Sequence, residues 1–317
     1  MAALMTAMSD HRFTRSSSVM ALVIRLGSAG GLLIGAVTLA VLVISRILPG
    51  WQMAFLSDRT GESQVHLYDL RTRLLYTLTR HQGAAPAPAW SPDGQPNAIF
   101  FDEDSVLRVA DVSGNSIPLL SLYQGIVEDM VMQNPIRSPQ GTRLVFYAQD
   151  EPDGSAALYI VDMSGQNLRQ IADISERNQV PVWSPDGQFL AFGSARSGNW
   201  EIYTVDIRDG STKQVTDHPE ADYGPTWSPD SRQIAFVSTR DGNAEIYAME
   251  ANGNNIRRLT HNQALDRGPA WSPDGHTIAF VSDRDNNFEI YIIDTASKHI
   301  TRLTEHPALD LFPVWGP

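Results

Sequence analysis

The fold is decided by the stretch PAWSPDGHTIAFVSDRDNNFEIYIIDTASKHITRLTEHPALDLFPVW, residues 269–315, because the chain repeats it. The two stretches before it align with it without a gap, and tryptophans fall at 183, 227, 271 and 315, a fixed period of 44 residues. WSPDG also opens at Trp90, and IRSPQG at 136–141 keeps the Ser-Pro-x-Gly core with Arg137 in the tryptophan position. This period indicates a repeat architecture, here of six units.

Each unit predicts four short strands. Ser-Pro-Asp-Gly fits a type I turn, since its four residue types suit the four successive turn positions. In the second and third strands, for example 278–281 and 290–293, the residues at both odd and even positions are apolar. This pattern is typical of strands that are covered on both faces. The fourth strand is more polar, as suits an outermost strand. The sequence therefore predicts an all-β fold, a six-bladed β-propeller of four-stranded antiparallel blades.

The two ends of the repeat region complement each other. Residues 53–59 match the second strand of a unit that has no first strand before it. Residues 312–315 match a first strand that is not followed by the rest of a unit. We therefore predict that the carboxyl-terminal segment pairs with the amino-terminal segment and closes the ring, so that the propeller comprises residues 51–317.

An uncharged segment at 26–45 precedes the repeats and is long enough to cross a hydrocarbon layer as a helix. The alternative is a cleaved signal peptide, but the segment is long for one and lacks a small-x-small cleavage site. We predict a short cytoplasmic tail at 1–18 and a transmembrane signal anchor at 19–48. Because arginines precede the span, the propeller is expected in the periplasm or outside the cell. Glycines at 27, 31 and 35 have helix-packing spacing, which leaves the oligomeric state open.

The charge balance restricts the partners. The net charge is −12 with only two lysines, which argues against a nucleic-acid partner, since that needs a concentrated basic face. After residue 50 the chain carries 20 basic and 35 acidic groups, a balance that favours cationic partners or metal ions. The sequence has no cysteine, which excludes disulfides and thiolate chemistry. Without a nucleophile elbow, a zinc-protease helix or a phosphate-binding glycine loop, we predict that the protein is not an enzyme.

WSPDG, followed by IAFxS, a Gly-Asn loop, EIY and a Leu-Thr ending, resembles the WD-like propeller repeat of the TolB family over roughly residues 51–317. The resemblance implies a periplasmic six-bladed propeller that binds protein partners of a cell-envelope complex. We expect this chain to differ from that family in lacking its amino-terminal α/β domain and in having an apolar membrane anchor instead. The resemblance therefore implies the propeller more directly than it implies the partners.

Recurring polar residues form a candidate binding site. Asn178, Asp222, Asp266 and Asp310 each lie three residues before the recurring proline. In a ring they converge on the mouth of the central channel, where they can hold a divalent cation or meet a basic partner. The alternative is that each aspartate caps the loop entering its inner strand. Separately, arginines at 196, 240 and 284 precede glutamates at 201, 245 and 289 by five residues, which predicts ion pairs across a hairpin.

The connection at 120–132 is long and unusually apolar. It predicts a partner-binding patch, with local repacking as the alternative. The patch consists of Tyr123, Ile126, Val127, Met130 and Met132.

These features lead to one main expectation, a membrane-anchored propeller outside the cytoplasm that binds or scaffolds proteins in the cell envelope and requires no cofactor. The alternative is a carbohydrate- or peptide-directed enzyme or sensor that uses a cation at the channel mouth.

Overall fold

The structure is a computed structural model that describes residues 52–77, 98–101, 107–110, 116–118, 133–148, 157–173 and 178–316. The chain divides into two units, Met1–Pro49 and Gly50–Pro317, and all described residues belong to the second. None of these residues forms a helix that could span a membrane. The predicted tail at 1–18 and anchor at 19–48 lie outside the described residues.

The described residues form 23 strands in six antiparallel sheets. Sheet I contains β1 (Gln52–Ser57), β2 (Gln64–Asp69), β3 (Leu74–Thr77) and β23 (Asp310–Trp315), and sheet II contains β4 (Ala98–Phe101), β5 (Leu107–Ala110) and β6 (Ser116–Pro118). Sheet III contains β7 (Gln133–Arg137), β8 (Arg143–Ala148), β9 (Ala157–Asp162) and β10 (Arg169–Asp173), and sheet IV contains β11 (Val182–Trp183), β12 (Phe189–Ser194), β13 (Glu201–Asp206) and β14 (Thr212–Gln214). Sheet V contains β15 (Asp222–Trp227), β16 (Gln233–Ser238), β17 (Glu245–Glu250) and β18 (Arg257–Arg258), and sheet VI contains β19 (Asp266–Trp271), β20 (Thr277–Ser282), β21 (Glu289–Asp294) and β22 (Ile300–Arg302). The prediction of four-stranded antiparallel sheets is thus confirmed for all but sheet II, in which three strands are described.

The Ser-Pro-Asp-Gly segments form the predicted turns between first and second strands. In sheet IV, the Gly187 amide donates to the Ser184 carbonyl at 2.8 Å, and the Ser184 hydroxyl donates to Asp186 at 2.6 Å. The fourth turn residue has a positive φ, 71° at Gly187 and 73° at Gly275. Glycine adopts this left-handed conformation without the steric cost that a Cβ atom brings, which explains its recurrence at the end of the turn.

Apolar side chains on both faces of the sheets pack against the neighbouring sheets. Separate buried clusters join sheet III to IV, IV to V, V to VI, and VI to I. Every second strand in the five four-stranded sheets contributes one fully buried phenylalanine. These are Phe55, Phe146, Phe192, Phe236 and Phe280. Sheets III, IV, V, VI and I therefore form a face-to-face stack, as blades do in a β-propeller.

The recurring tryptophans link neighbouring sheets through their indole nitrogens. Each of three donates to a carbonyl of the inner strand in the preceding sheet, namely Trp183 to Ile136 at 3.4 Å, Trp227 to Val182 at 3.2 Å and Trp315 to Ala270 at 2.9 Å. Trp271 differs, because its buried indole nitrogen has no hydrogen-bond partner among the residues that the structure describes. The tryptophan of the repeat thus contributes both packing and an intersheet bond.

The two ends of the repeat region meet in sheet I. The last strand, β23, pairs antiparallel with β1, so that Met53 lies opposite Trp315 and Ser57 opposite Asp310. The Gly316 amide extends this pairing by donating to the Gln52 carbonyl at 2.7 Å. The predicted pairing of residues 312–315 with the first soluble segment is therefore present.

Candidate functional site

The inner strands β15, β19 and β23 each begin with an aspartate, and we call this end of the sheets the entry end. Asp222, Asp266 and Asp310 have no exposed surface. Each accepts a hydrogen bond from an arginine in the loop after the second strand of the same sheet. The pairs are Arg240–Asp222 at 2.7 Å, Arg284–Asp266 at 3.0 Å and Arg59–Asp310 at 2.6 Å.

The arginine is held from two further sides. Its Nε donates to the serine that ends the second strand, for example Arg240 to Ser238 at 2.8 Å. Its guanidinium carbon also lies 4.9 Å from the ring centre of Tyr247. A cation over an aromatic face is attracted by the ring quadrupole, so the arginine is fixed in one orientation. The same arrangement recurs at Arg284, which lies over Tyr291.

Sheet IV has the amide of Asn178 where sheets I, V and VI have a carboxylate. There the Nη2 of Arg196 donates to the Asp173 carbonyl at 3.1 Å, and the Asn178 backbone forms an isolated bridge with Ser194. Where the carboxylate is absent, the arginine therefore donates to a backbone carbonyl instead. The predicted set of four polar residues divides into three aspartates paired with arginine and one amide with other contacts.

Burial raises the pKa of the three aspartates, although the serine and arginine beside each one act in the opposite direction. One carboxylate oxygen each of Asp222 and Asp310 is buried without a hydrogen-bond partner within the described ranges. In those same ranges no three or more His, Cys, Asp or Glu side chains are grouped so that they can hold a metal ion. The aspartates thus lie in separate arginine clusters, and the geometry does not assemble the cation site expected from the sequence.

The glutamate that begins each third strand forms a second buried cluster. In sheet V, Glu245 accepts hydrogen bonds from the Thr260 hydroxyl at 2.5 Å, the Asn262 amide at 2.8 Å and Arg258 at 2.8 Å. The Thr260 hydroxyl in turn accepts from the Ile246 amide at 2.9 Å. Burial alone would raise the pKa of Glu245, but these donors hold it below its usual value. Glu201 and Glu289 repeat this arrangement with Thr216 and Thr304.

The predicted arginine–glutamate pairs across the hairpin are therefore wrong. Arg240 and Arg284 pair with aspartates of the first strand, whereas Glu245 and Glu289 pair with arginines of the fourth strand. A strand ladder brings together residues that are far apart in sequence. An offset of five residues along the chain therefore does not identify the partner of each arginine. The recurrence of threonine 15 residues after each glutamate was a usable signal for the second cluster.

The inner strands also present exposed positions at the entry end. The residue before the recurring proline is Val180, Gly224, Gly268 or Phe312 in sheets IV, V, VI and I. Val180 is 48% exposed and Phe312 is 51% exposed. A Cβ atom added at Gly268 would meet no atom within 4 Å, so open space adjoins this strand. The four positions form an arc on neighbouring inner strands, with apolar side chains at its ends and glycines between them.

Phe312 has an unusual backbone. Its φ is 54°, close to the 64° and 59° of Gly224 and Gly268 at the equivalent positions. A bulky residue with positive φ is an outlier because its Cβ atom crowds the backbone. The conformation belongs to a bulge that all three inner strands share, where the pairing with the second strand shifts register. The predicted apolar patch, from Tyr123 to Met132, lies outside the described residues.

Comparison with known proteins identifies the repeats. A family model described as the TolB beta propeller domain matches residues 104–267, and a model of the dipeptidyl peptidase IV N-terminal region matches residues 241–312. The protein TolB homolog of Chlorobium chlorochromatii is 27% identical over 149 residues, which cover 46% of this chain and 32% of that protein. The Tol-Pal system protein TolB of Alcanivorax borkumensis is 28% identical over 128 residues, covering 40% and 24%. The matched region thus spans a third or less of these curated relatives.

The solved structure of TolB from Acinetobacter baumannii has the same fold. Its TM-score is 0.67 at 21% sequence identity, with 84% of this chain and 66% of that chain covered. Together with the stacked antiparallel sheets, this similarity shows an all-β propeller.

Proposed function

We propose, since the chain belongs to the TolB beta propeller domain family, that it is a non-catalytic protein-binding module of the cell envelope with a role like that of the Tol-Pal system protein. The relatives support an envelope role through their names, and the match covers only part of each of them. The partner is a protein that docks at the entry end.

The proposal includes six blades in a closed ring. Six sheets in the described residues, the pairing of β1 with β23 and the packing of sheet VI on sheet I support this closure. A closed ring surrounds an axial channel, and its inner strands surround the mouth. The arc from Val180 to Phe312 then lies on the rim of this channel.

The proposal also keeps the topology that the sequence predicts. Residues 19–48 anchor the protein in the membrane, residues 1–18 remain in the cytoplasm, and the propeller lies in the periplasm or outside the cell. A propeller tethered outside the cytoplasm then meets partners that belong to the envelope.

The conformation of Phe312 carries the proposal. A bulky residue in the left-handed region costs about 1–3 kcal/mol. The exposed side chain does not regain this cost through burial, because 51% of its surface faces solvent. The equivalent residues in sheets V and VI are glycines, which adopt the same bulge without strain. An exposed aromatic residue in a strained position serves best as a contact for a partner.

The direct test measures binding of the full-length protein, in detergent, to the Pal protein of the same organism. The variant Phe312→Gly is expected to weaken binding at least about tenfold, because an exposed aromatic side chain is removed from the contact surface. The same variant should unfold at an equal or higher temperature, since the bulge loses its strain.

The matched control is Ile256→Ala, which shortens another exposed apolar side chain at the opposite end of sheet V. It should leave binding unchanged. Equal affinity of the wild type and Phe312→Gly would contradict the role of the entry end, and absence of any binding to Pal would contradict the Tol-Pal role.

A further inference from the structure

A second candidate site lies at the end of sheet V opposite Phe312. A surface cavity of about 720 Å³ opens between the turn that joins β15 to β16 and the turn that joins β17 to β18. All of its lining residues except Ala251 carry a polar or charged group at the end of the side chain. The side chains that line it include Ser231, Arg232, Gln233, Glu250, Asn255 and Arg257.

The two arginines of this cavity have no carboxylate partner in the described part of the chain. Arg257 is partly buried, and its Nη2 donates to the neutral amide oxygen of Gln233 at 2.5 Å. The guanidinium of Arg232 is exposed and makes no hydrogen bond or ion pair with a described residue. By contrast, the adjacent Arg258 pairs with both Asp241 and Glu245. Arg257 is therefore held in place while its charge stays uncompensated.

The carboxylates of this corner are engaged elsewhere. Glu250 accepts hydrogen bonds from the side-chain amides of Asn252 at 3.2 Å and Asn255 at 2.5 Å, so both its oxygens face the β17–β18 turn. Asp230 accepts from the Ser228 hydroxyl at 2.6 Å and from the Arg232 backbone amide at 3.1 Å. Neither acidic group is bonded to an arginine side chain of the cavity.

A third cation increases the local positive charge. Burial and then the nearby Arg257 lower the pKa of Lys298, although Asp294 acts in the opposite direction. Like charges that approach one another destabilise each other unless an anion lies between them or beside them. An external anion beside Arg257 would relieve this repulsion between Arg257 and Lys298.

The other repeats serve as an internal comparison. One period earlier, sheet IV has Gln188, Phe189 and Lys213 at the positions of Arg232, Gln233 and Arg257. One period later, sheet VI has His276, Thr277 and Thr301 there. The constellation of two arginines and an orienting amide is thus specific to sheet V among these three aligned repeats, and the fold itself does not require it.

We propose that this cavity binds an oxyanion, a carboxylate or phosphate group carried by a small polar molecule. The planar guanidinium of Arg257 donates to the oxyanion from a fixed orientation, and Arg232 closes over it from the exposed side. Ser231 and Asn255 supply polar contacts for hydroxyl groups next to the charge. The cavity offers no aromatic or large apolar wall, so a hydroxyl-rich ligand fits better than a lipid chain.

The test titrates full-length protein in detergent with inorganic phosphate, glucuronate and neutral glucose, and follows binding by calorimetry. Phosphate and glucuronate are expected to bind and glucose is not. Arg257→Gln should weaken anion binding at least about tenfold, and Arg232→Gln several-fold, since a charge-assisted hydrogen bond is lost in each case. Because the Arg232 side chain is exposed and bonds to no described residue, its replacement tests the site even where Arg257→Gln disturbs the fold.

The control is Arg208→Gln, which removes a charge at the same end of sheet IV and should leave anion binding unchanged. Phe312→Gly should also leave it unchanged, which separates this site from the proposed Pal surface. Equal anion affinities of the wild type, Arg257→Gln and Arg232→Gln would overturn the proposal, as would glucose binding as strongly as glucuronate. Binding of only one of the two anions would show whether the site takes a phosphate or a carboxylate.

Discussion

At the scale of single residues, the fold places similar carboxylates in two different electrostatic settings. Glu245 accepts several hydrogen bonds, and these hold its pKa low despite burial. It therefore contributes stability that is present above the usual glutamate pKa and is lost as the pH falls through the lowered pKa. Asp222 has fewer donors, and burial raises its pKa. Its ionised form costs stability, and that cost disappears as the pH falls through the raised pKa. In Asp222 burial outweighs the hydrogen-bond donors, whereas in Glu245 the donors outweigh burial.

His66 provides a pH-dependent prediction at this scale. The residue is buried against Phe55, and burial followed by the charges of Arg59 and His306 lowers its pKa to about 4. Below the usual histidine pKa of about 6.5, the unfolded chain takes up a proton before the native protein does. The stability that the neutral imidazole contributes is therefore present above about pH 6.5 and lost as the pH falls to about 4.

The variant His66→Tyr restores the residue that sheets IV, V and VI have at this position, namely Tyr203, Tyr247 and Tyr291. We expect it to be more stable than the wild type at pH 5 by on the order of 1–2 kcal/mol, with a smaller difference at pH 7. Urea unfolding at the two pH values measures this difference. If the difference between the two proteins is the same at both values, histidine titration is not the cause.

At the scale of structural elements, the sequence predicted the strands and their turns because both are local. The alternation of apolar segments with Ser-Pro-Asp-Gly fixes where a hairpin turns, and the structure has its turns there. The partners of the buried charges could not be predicted in the same way. Arg240 reaches back 18 residues to Asp222, and Arg258 reaches back 13 to Glu245. Only the strand register, which the sequence does not state, brings these groups together.

The stacking of sheets predicts different effects for two glycines with nearly the same backbone. Gly253 has a φ of 92° and Gly242 has a φ of 96°. A Cβ atom at Gly253 would lie 2.5 Å from the carbonyl oxygen of Val215 in the neighbouring sheet, whereas one at Gly242 would meet no atom within 4 Å. Both alanine variants suffer the same backbone strain, but only Gly253→Ala also forces two sheets apart.

We expect Gly253→Ala to be less stable than Gly242→Ala by about 1–3 kcal/mol, the usual cost of overpacking. Chemical unfolding of the two variants under identical conditions gives the difference directly. Equal destabilisation would mean that backbone strain alone accounts for both, and that sheets IV and V are less closely packed than the geometry indicates.

At the scale of the whole molecule, charged contacts join the same two segments as the backbone pairing of β1 with β23. Arg59, near the beginning of the repeats, pairs with Asp310, near their end, and the Asp58 carboxylate accepts a hydrogen bond from the Leu309 amide at 2.8 Å. Aspartates at the positions equivalent to Asp310 and Asp58 make the same contacts in other sheets. There the two joined segments follow one another in the chain. Sheet I thus uses the contacts of an ordinary repeat to hold segments that are 251 residues apart.

Removal of residues 311–317 tests this connection. The truncation eliminates most of β23, exposes Met53 and Ala54 of β1, and breaks the bond from Trp315 to Ala270. We expect a loss of more than about 4 kcal/mol, which would leave the propeller largely unfolded at 37 °C. Trp315→Phe is the matched control, and since it removes mainly one hydrogen bond it should cost about 1 kcal/mol. A synthetic peptide of residues 309–317 should restore the melting transition by adding the missing strand. An unchanged transition in the truncated protein would show that the stability of the propeller does not depend on this strand.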